Sequence, residues 1–129
     1  MRDELDKQLC EKYPKIFADR YKPMTETAMC WGIECGDGWY NIIDQLCANI
    51  QSHIDWEKSR GIAISQVVAE QVKEKFGTLR FYVRGGDEYI DGLIAMAESM
   101  SGVTCEACGK PGTTGGSGWI STMCEDHRK

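Results

Sequence analysis

The feature that most narrows what this 129-residue chain can fold into is Cys105-Glu-Ala-Cys108-Gly109, followed after fifteen intervening residues by Cys124-Glu-Asp-His127. A Cys-x-x-Cys pair belongs on a tight turn whose N–H groups point at sulfur, and Gly109 supplies the backbone freedom such a turn requires. Cys124 and His127 lie one helical turn apart and therefore face the same way. Three thiolates and one imidazole complete a tetrahedral Zn2+ shell with no position left for substrate or an activated water. The expected zinc is structural, not catalytic.

The other cysteines, Cys10, Cys30, Cys35 and Cys47, form no second pattern of this kind and read as free thiols. A second metal site built from Cys30, Cys35, Cys47 and His53 lacks the spacing. No apolar run approaches the ~20 residues of a membrane span. The opening residues carry no apolar signal core, so the expectation is the cytoplasm, a reducing compartment.

Charge is unevenly placed. The net charge is −5, yet residues 59–84 carry five basic and two acidic groups, a cationic island in an acidic chain. Such an island attracts a small anion without offering the broad basic surface that duplex nucleic acid requires. Within the finger, Lys110, Arg128 and Lys129 balance Glu106, Glu125 and Asp126, which removes an electrostatic footprint for phosphate there as well.

Read in order, the chain predicts a short charged helix over residues 3–12, stopped by Pro14, and helical offsets in Lys15 to Tyr21, ended by Pro23. Alternation of Met29, Trp31 and Ile33 predicts a strand over Thr27 to Glu34. Cys35-Gly-Asp-Gly-Trp-Tyr40 then turns into the main core helix, with Asp37 as N-cap and Trp39, Ile42, Ile43, Leu46, Ile50 and Ile54 as its apolar stripe. Trp39 and Tyr40 either line a ligand pocket or belong to the core; helical spacing favours the core. Residues 62–72 fit helix or strand, and the strand is preferred because Lys73-Glu-Lys-Phe-Gly77 breaks the chain before Thr78 to Arg84, the clearest alternation present. That second strand turns Leu79, Phe81 and Val83 inward. Arg80, Tyr82 and Arg84 share the other face, with Lys73 brought near by pairing. A helix from Asp87 to Met100 follows, and Trp119 and Ile120 are expected to pack the finger onto the domain. The fold class is α+β, a small antiparallel sheet packed by two to three helices, with residues 1–104 as the domain and residues 105–129 as a zinc-binding, treble-clef-like appendage in one cooperative unit.

Known catalytic patterns fit poorly. A zinc deaminase would need His-x-Glu and Pro-Cys-x-x-Cys, whereas His53-Ile-Asp55 and Thr104 stand at those places. The glycines of residues 112–118 lack the Lys-Ser/Thr ending of a phosphate loop. Two alternatives to a binder stay open: a finger module that binds protein or nucleic acid, and a metal-independent enzyme that cleaves a nucleotide signal with Lys73, Arg80 or Tyr82.

Glu34-Cys-Gly-Asp-Gly-Trp39, Gln71 to Tyr82, Gly85-Gly-Asp-Glu-Tyr89 and the Cys105 to His127 finger together resemble a family of small, largely uncharacterised bacteriophage proteins, across most of residues 30–129. In size and build such proteins are similar to viral proteins that sequester nucleotide-derived immune signals. The resemblance implies a binder of a small anionic, nucleotide-like ligand. Lys73, Arg80 and Arg84 would hold phosphate, and Tyr82, with Trp39 or Tyr40, would stack on a base. A homodimer is the expected way for so small a chain to enclose a ligand.

Overall fold

The computed structural model describes residues 1–128. Lys129, counted above among the finger's charges, lies outside the described residues. Helix α1 (Asp3–Lys12) opens the chain with three acidic residues in its first turn, where the helix dipole favours them. Its Asp6 is buried and accepts from the N–H of Ile33 and from Arg20 Nε, at 2.8 and 2.9 Å, which ties α1 to the segment that follows.

That segment departs from expectation twice. Residues 14–21 form turns, not helix. Pro14 and Pro23 leave too short a run for a helix to propagate, while Ile16 and Phe17 still reach the core. Thr27 to Glu34 is not one strand. Thr27 caps a 3-10 helix over Ala28–Trp31, and only β1 (Ile33–Glu34) is extended. Met29 is buried but Trp31 is exposed, so the alternation of the sequence does not correspond to two faces of a strand.

A 3-10 turn over Asp37–Trp39 leads into α2 (Tyr40–Ser59). Asp37 does not cap α2: Trp39 stands at that helix's N-cap, and Gly36 at the cap of the 3-10 turn. Asp37 instead accepts from the backbone N–H of Arg2 and pairs with that side chain. Ile43, Leu46, Ile50 and Ile54 form the buried stripe of α2.

Strands β2 (Val68–Lys75) and β3 (Thr78–Arg84) form an antiparallel hairpin. With β1 parallel to β2, they make a three-stranded mixed sheet in the order β1-β2-β3. The break predicted from Lys73 onward is only two residues, Phe76 and Gly77, both with positive φ as a tight hairpin turn demands. Helix α3 (Glu88–Ser101) is capped by Asp87, which accepts from the N–H of Ile90. It also protects the sheet's outer edge: Ser101 Oγ and Glu98 Oε2 accept from the N–H groups of Leu79 and Phe81, at 2.8 and 2.9 Å. Ile33, Val72, Leu79 and Phe81 join the stripe of α2 and Ile90 and Ala97 of α3 in one core, and the opposite sheet face carries Lys73, Arg80 and the exposed Tyr82. The chain ends in the finger, where β4 (Thr113–Gly115) and β5 (Ser121–Met123) pair antiparallel before a 3-10 turn over Glu125–His127. The fold class is α+β, as the sequence indicates.

Candidate metal centre and ligand face

The two halves of the finger converge. Cys105, Cys108, Cys124 and His127 present donor atoms all within 4.8 Å of one another, an arrangement that could hold a metal ion. Cys108 Sγ lies 3.7 Å from Cys124 Sγ, and His127 Nδ1 lies 3.2 Å from Cys124 Sγ and 3.7 Å from Cys105 Sγ. Burial tends to raise the thiol of Cys105, but N–H groups of Cys124, Cys108 and Ala107 directed at its sulfur outweigh this and lower it to about 6. The contact between His127 and the Cys124 sulfur raises the basicity of the imidazole, and the same hydrogen bond from His127 lowers the thiol of Cys124. Among the described residues no other set of three or more such side chains gathers, so Cys30, Cys35, Cys47 and His53 do not form a second site. Burial pushes Cys35 up to about 12 and raises Cys47 further, as befits neutral core thiols.

The knuckle is seated on the domain by the Gly-Asp-Gly-Trp turn. The N–H of Gly38 donates to the carbonyl of Glu106 at 2.8 Å, that of Gly36 donates to the Glu106 carboxylate at 2.9 Å, and Trp39 Nε1 donates to the carbonyl of Thr104 at 2.9 Å. A Cβ on Gly38 would stand 2.1 Å from the carbonyl oxygen of Cys105, and one on Gly36 would stand 2.3 Å from that of Glu106. Only glycine permits this approach. On the other side of the finger, Thr122, fully buried, donates through Oγ1 to the carbonyl of Gly77 at 2.5 Å and contacts Thr114 Oγ1. Arg128 clasps the β4-β5 hairpin through the carbonyls of Thr113, Gly115 and Ser121. These contacts, not Trp119, fasten the finger: Trp119 is 80% exposed and Ile120 is partly so.

The residues expected to hold a ligand divide. Cross-strand pairing sets Lys73 opposite Arg80, with Tyr82 opposite Gln71 on the same face. Tyr82 is 44% exposed. Arg80 Nε is buried without a hydrogen-bond partner, the one such side-chain atom among the described residues. Arg84 belongs elsewhere: its guanidinium makes a two-point contact with Asp19, at 2.6 and 3.2 Å, and is not free for phosphate. Trp39 is wholly buried and its indole N–H is already used, so it is core and cannot stack on a base. Tyr40 turns its hydroxyl to Gln8 of α1. Two residues of the open face were missed. Lys75, two along from Lys73, shares its side and faces Thr78. Phe76 holds φ at 53° at the hairpin tip while 67% exposed, an uncommon conformation for a bulky residue. The face is not purely cationic, since β1 sets Glu34 beside Lys73.

No family model matches the chain, and no curated protein or solved structure is detectably similar to it. No helix among the described residues is long and apolar enough to cross a membrane.

Proposed function

We propose that this is a zinc-stapled binding protein that takes up a small anionic, nucleotide-like ligand on the open face of β1, β2 and β3. Lys73, Lys75 and Arg80 engage phosphate there and Tyr82 stacks on a base. The observation that carries the reading is Arg80: a buried guanidinium N–H with no partner is costly unless something completes it, and a phosphate oxygen is the natural acceptor. The resemblance to bacteriophage proteins sets the purpose, sequestration of a nucleotide-derived signal of host defence in the host cytoplasm. Zinc is the metal that suits three thiolates and an imidazole. With Zn–S near 2.3 Å and Zn–N near 2.0–2.1 Å, tetrahedral donors lie about 3.5–3.8 Å apart, and the separations here run from 3.2 Å to within 4.8 Å, on either side of that range. The four ligands fill the shell, so the ion would hold the knuckle shut.

Calorimetric titration of the metal-loaded protein with a panel of cyclic and linear nucleotides tests the reading. A nucleotide should bind and be recovered intact, and Arg80→Ala should weaken it ten- to a hundredfold, the equivalent of about 1.5–3 kcal/mol for a charge-assisted contact. Leu79→Ala, one residue away and facing the core, should lower stability and spare affinity in the folded fraction. Absence of binding across the panel, or Arg80→Ala binding like the parent, would remove the proposed site. Recovery of a cleaved nucleotide would make the protein an enzyme.

A further inference from the structure

Helix α3 carries a second exposed face. Tyr89, Met96, Met100 and Val103 are each between 49% and 63% exposed, with Leu93 half-buried among them. Tyr89, Leu93, Met96 and Met100 are spaced four, three and four residues apart, the heptad seam of a helix that packs along another helix, and Val103 continues the spacing in the turn just beyond the helix's end at Ser101. The seam is nearly palindromic about Met96: Tyr89 and Val103 lie seven residues to either side, Leu93 and Met100 three and four. Two copies of such a seam laid antiparallel match Tyr89 to Val103 and Leu93 to Met100, with Met96 on the two-fold axis. This is the self-complementarity that an isologous contact needs.

Charge placement agrees. The acidic groups Glu88, Asp91 and Glu98 would set two copies of α3 against each other if they bordered the seam, but the flanking positions are Gly92 and Ser99 on one side and, on the other, Ile90 and Ala97, which are buried in the core. Beside the seam runs a groove of about 280 Å3 between α3 and α2, whose far wall is Asn41, Gln45 and Asn49, spaced one turn apart and uncharged. At roughly 200 Å2 for a large side chain, the four exposed residues offer on the order of 450 Å2 per protomer. Two copies thus bury on the order of 900 Å2 through these side chains, the range of small, reversible contacts.

We infer that α3 is the interface of a homodimer, two copies packing antiparallel through Tyr89, Leu93, Met96, Met100 and Val103. The inference stands apart from the ligand reading, since none of these residues lies on the sheet face.

Sedimentation of the metal-loaded full chain tests it. The parent should be dimeric within the range up to about 100 µM, where a small, reversible interface is populated. Met96→Glu, which sets two carboxylates against each other on the axis, should be monomeric there with metal content and melting profile kept. Register is read by crosslinking with oxidised glutathione, using the parent with its seven native thiols as control. Met96→Cys should form a disulfide-linked dimer, and Val103→Cys, which faces Tyr89 of the other copy, should not. A monomeric parent, a Met96→Glu variant that stays dimeric, or crosslinking of Val103→Cys as fast as Met96→Cys would each overturn the inference. None of these readouts depends on a nucleotide.

Discussion

The seat of the metal knuckle and the open face of the sheet both carry conspicuous residues, and the structure treats them in opposite ways. At the seat, Gly36, Gly38 and Trp39 are consumed by contacts with Thr104, Cys105 and Glu106, closely enough that a methyl group on Gly36 or Gly38 would collide with the knuckle's backbone. On the open face, Lys73 and Arg80 pair across strands with no ion pair to either among the described residues, and Tyr82 stays exposed. A tight motif in a sequence need not mark a ligand site. Gly-Asp-Gly-Trp and Lys-Phe-Gly-Thr are explained by what they support: the first seats the knuckle and the second presents the Gly77 carbonyl to Thr122.

Removing the metal should have the largest effect. The ligands draw together segments that bear on α2's entry and on the β2-β3 turn, so chelation, or Cys108→Ser, should cost the whole chain its cooperative melting and not merely fray the C-terminus. Circular dichroism melts with and without chelator check this. If α2 and the sheet melt unchanged in the apo protein, the seat is an ornament of the finger and the comparison with the open face collapses.

Next comes Gly38→Ala. The backbone must shift to admit a Cβ, an overpacking cost of about 1–3 kcal/mol that should appear in a denaturant midpoint. Gly92→Ala is its counterpart on α3, with nothing within 4 Å of the new methyl. It should raise stability by about 0.8–1 kcal/mol through helix propensity alone. Thr122→Val should cost about 1–2 kcal/mol, because it removes the hydroxyl that satisfies the Gly77 carbonyl and contacts Thr114.

Local pattern exposed much of this arrangement. Cys-x-x-Cys and Cys-x-x-His predicted the metal cluster, the alternation of Thr78 to Arg84 located β3, and the stripe Ile43, Leu46, Ile50 and Ile54 located the buried face of α2. What stayed hidden depends on distance along the chain. Nothing near Arg84 reveals that its carboxylate partner is Asp19, and nothing near Gly38 reveals Cys105. Thr27 to Glu34 misleads for a different reason. Thr27 can cap, and a single capped 3-10 turn followed by Gly32 at φ 79° breaks the alternation that Met29, Trp31 and Ile33 imitate. Lys75 was lost because the strand was ended too soon; extending the two-residue period by one step places it with Lys73.

The smallest expected effect is also the one that separates two arginines of the same strand. Asp19 is buried to 3% exposure and accepts from Arg84 and Lys22, and the hydrogen bond from Arg84 leads the causes that lower its carboxyl to about 2. Arg84→Ala leaves that carboxylate with Lys22 alone and should lower stability modestly at neutral pH, with little loss of ligand affinity. Because Asp19 binds its proton less readily folded than unfolded, the pair's contribution is present above the unfolded value near 4 and fades as pH falls through about 2. The difference in urea midpoint between parent and Arg84→Ala should therefore be full at pH 7 and narrow on acidification below about pH 4, as far as the metal-loaded fold persists. Arg80→Ala should invert the pattern, with stability within about 0.5 kcal/mol of the parent and the whole loss in nucleotide affinity. If Arg84→Ala were the variant that lost ligand and kept its stability, the boundary between scaffold and site would have to be redrawn with Asp19 on the site's side.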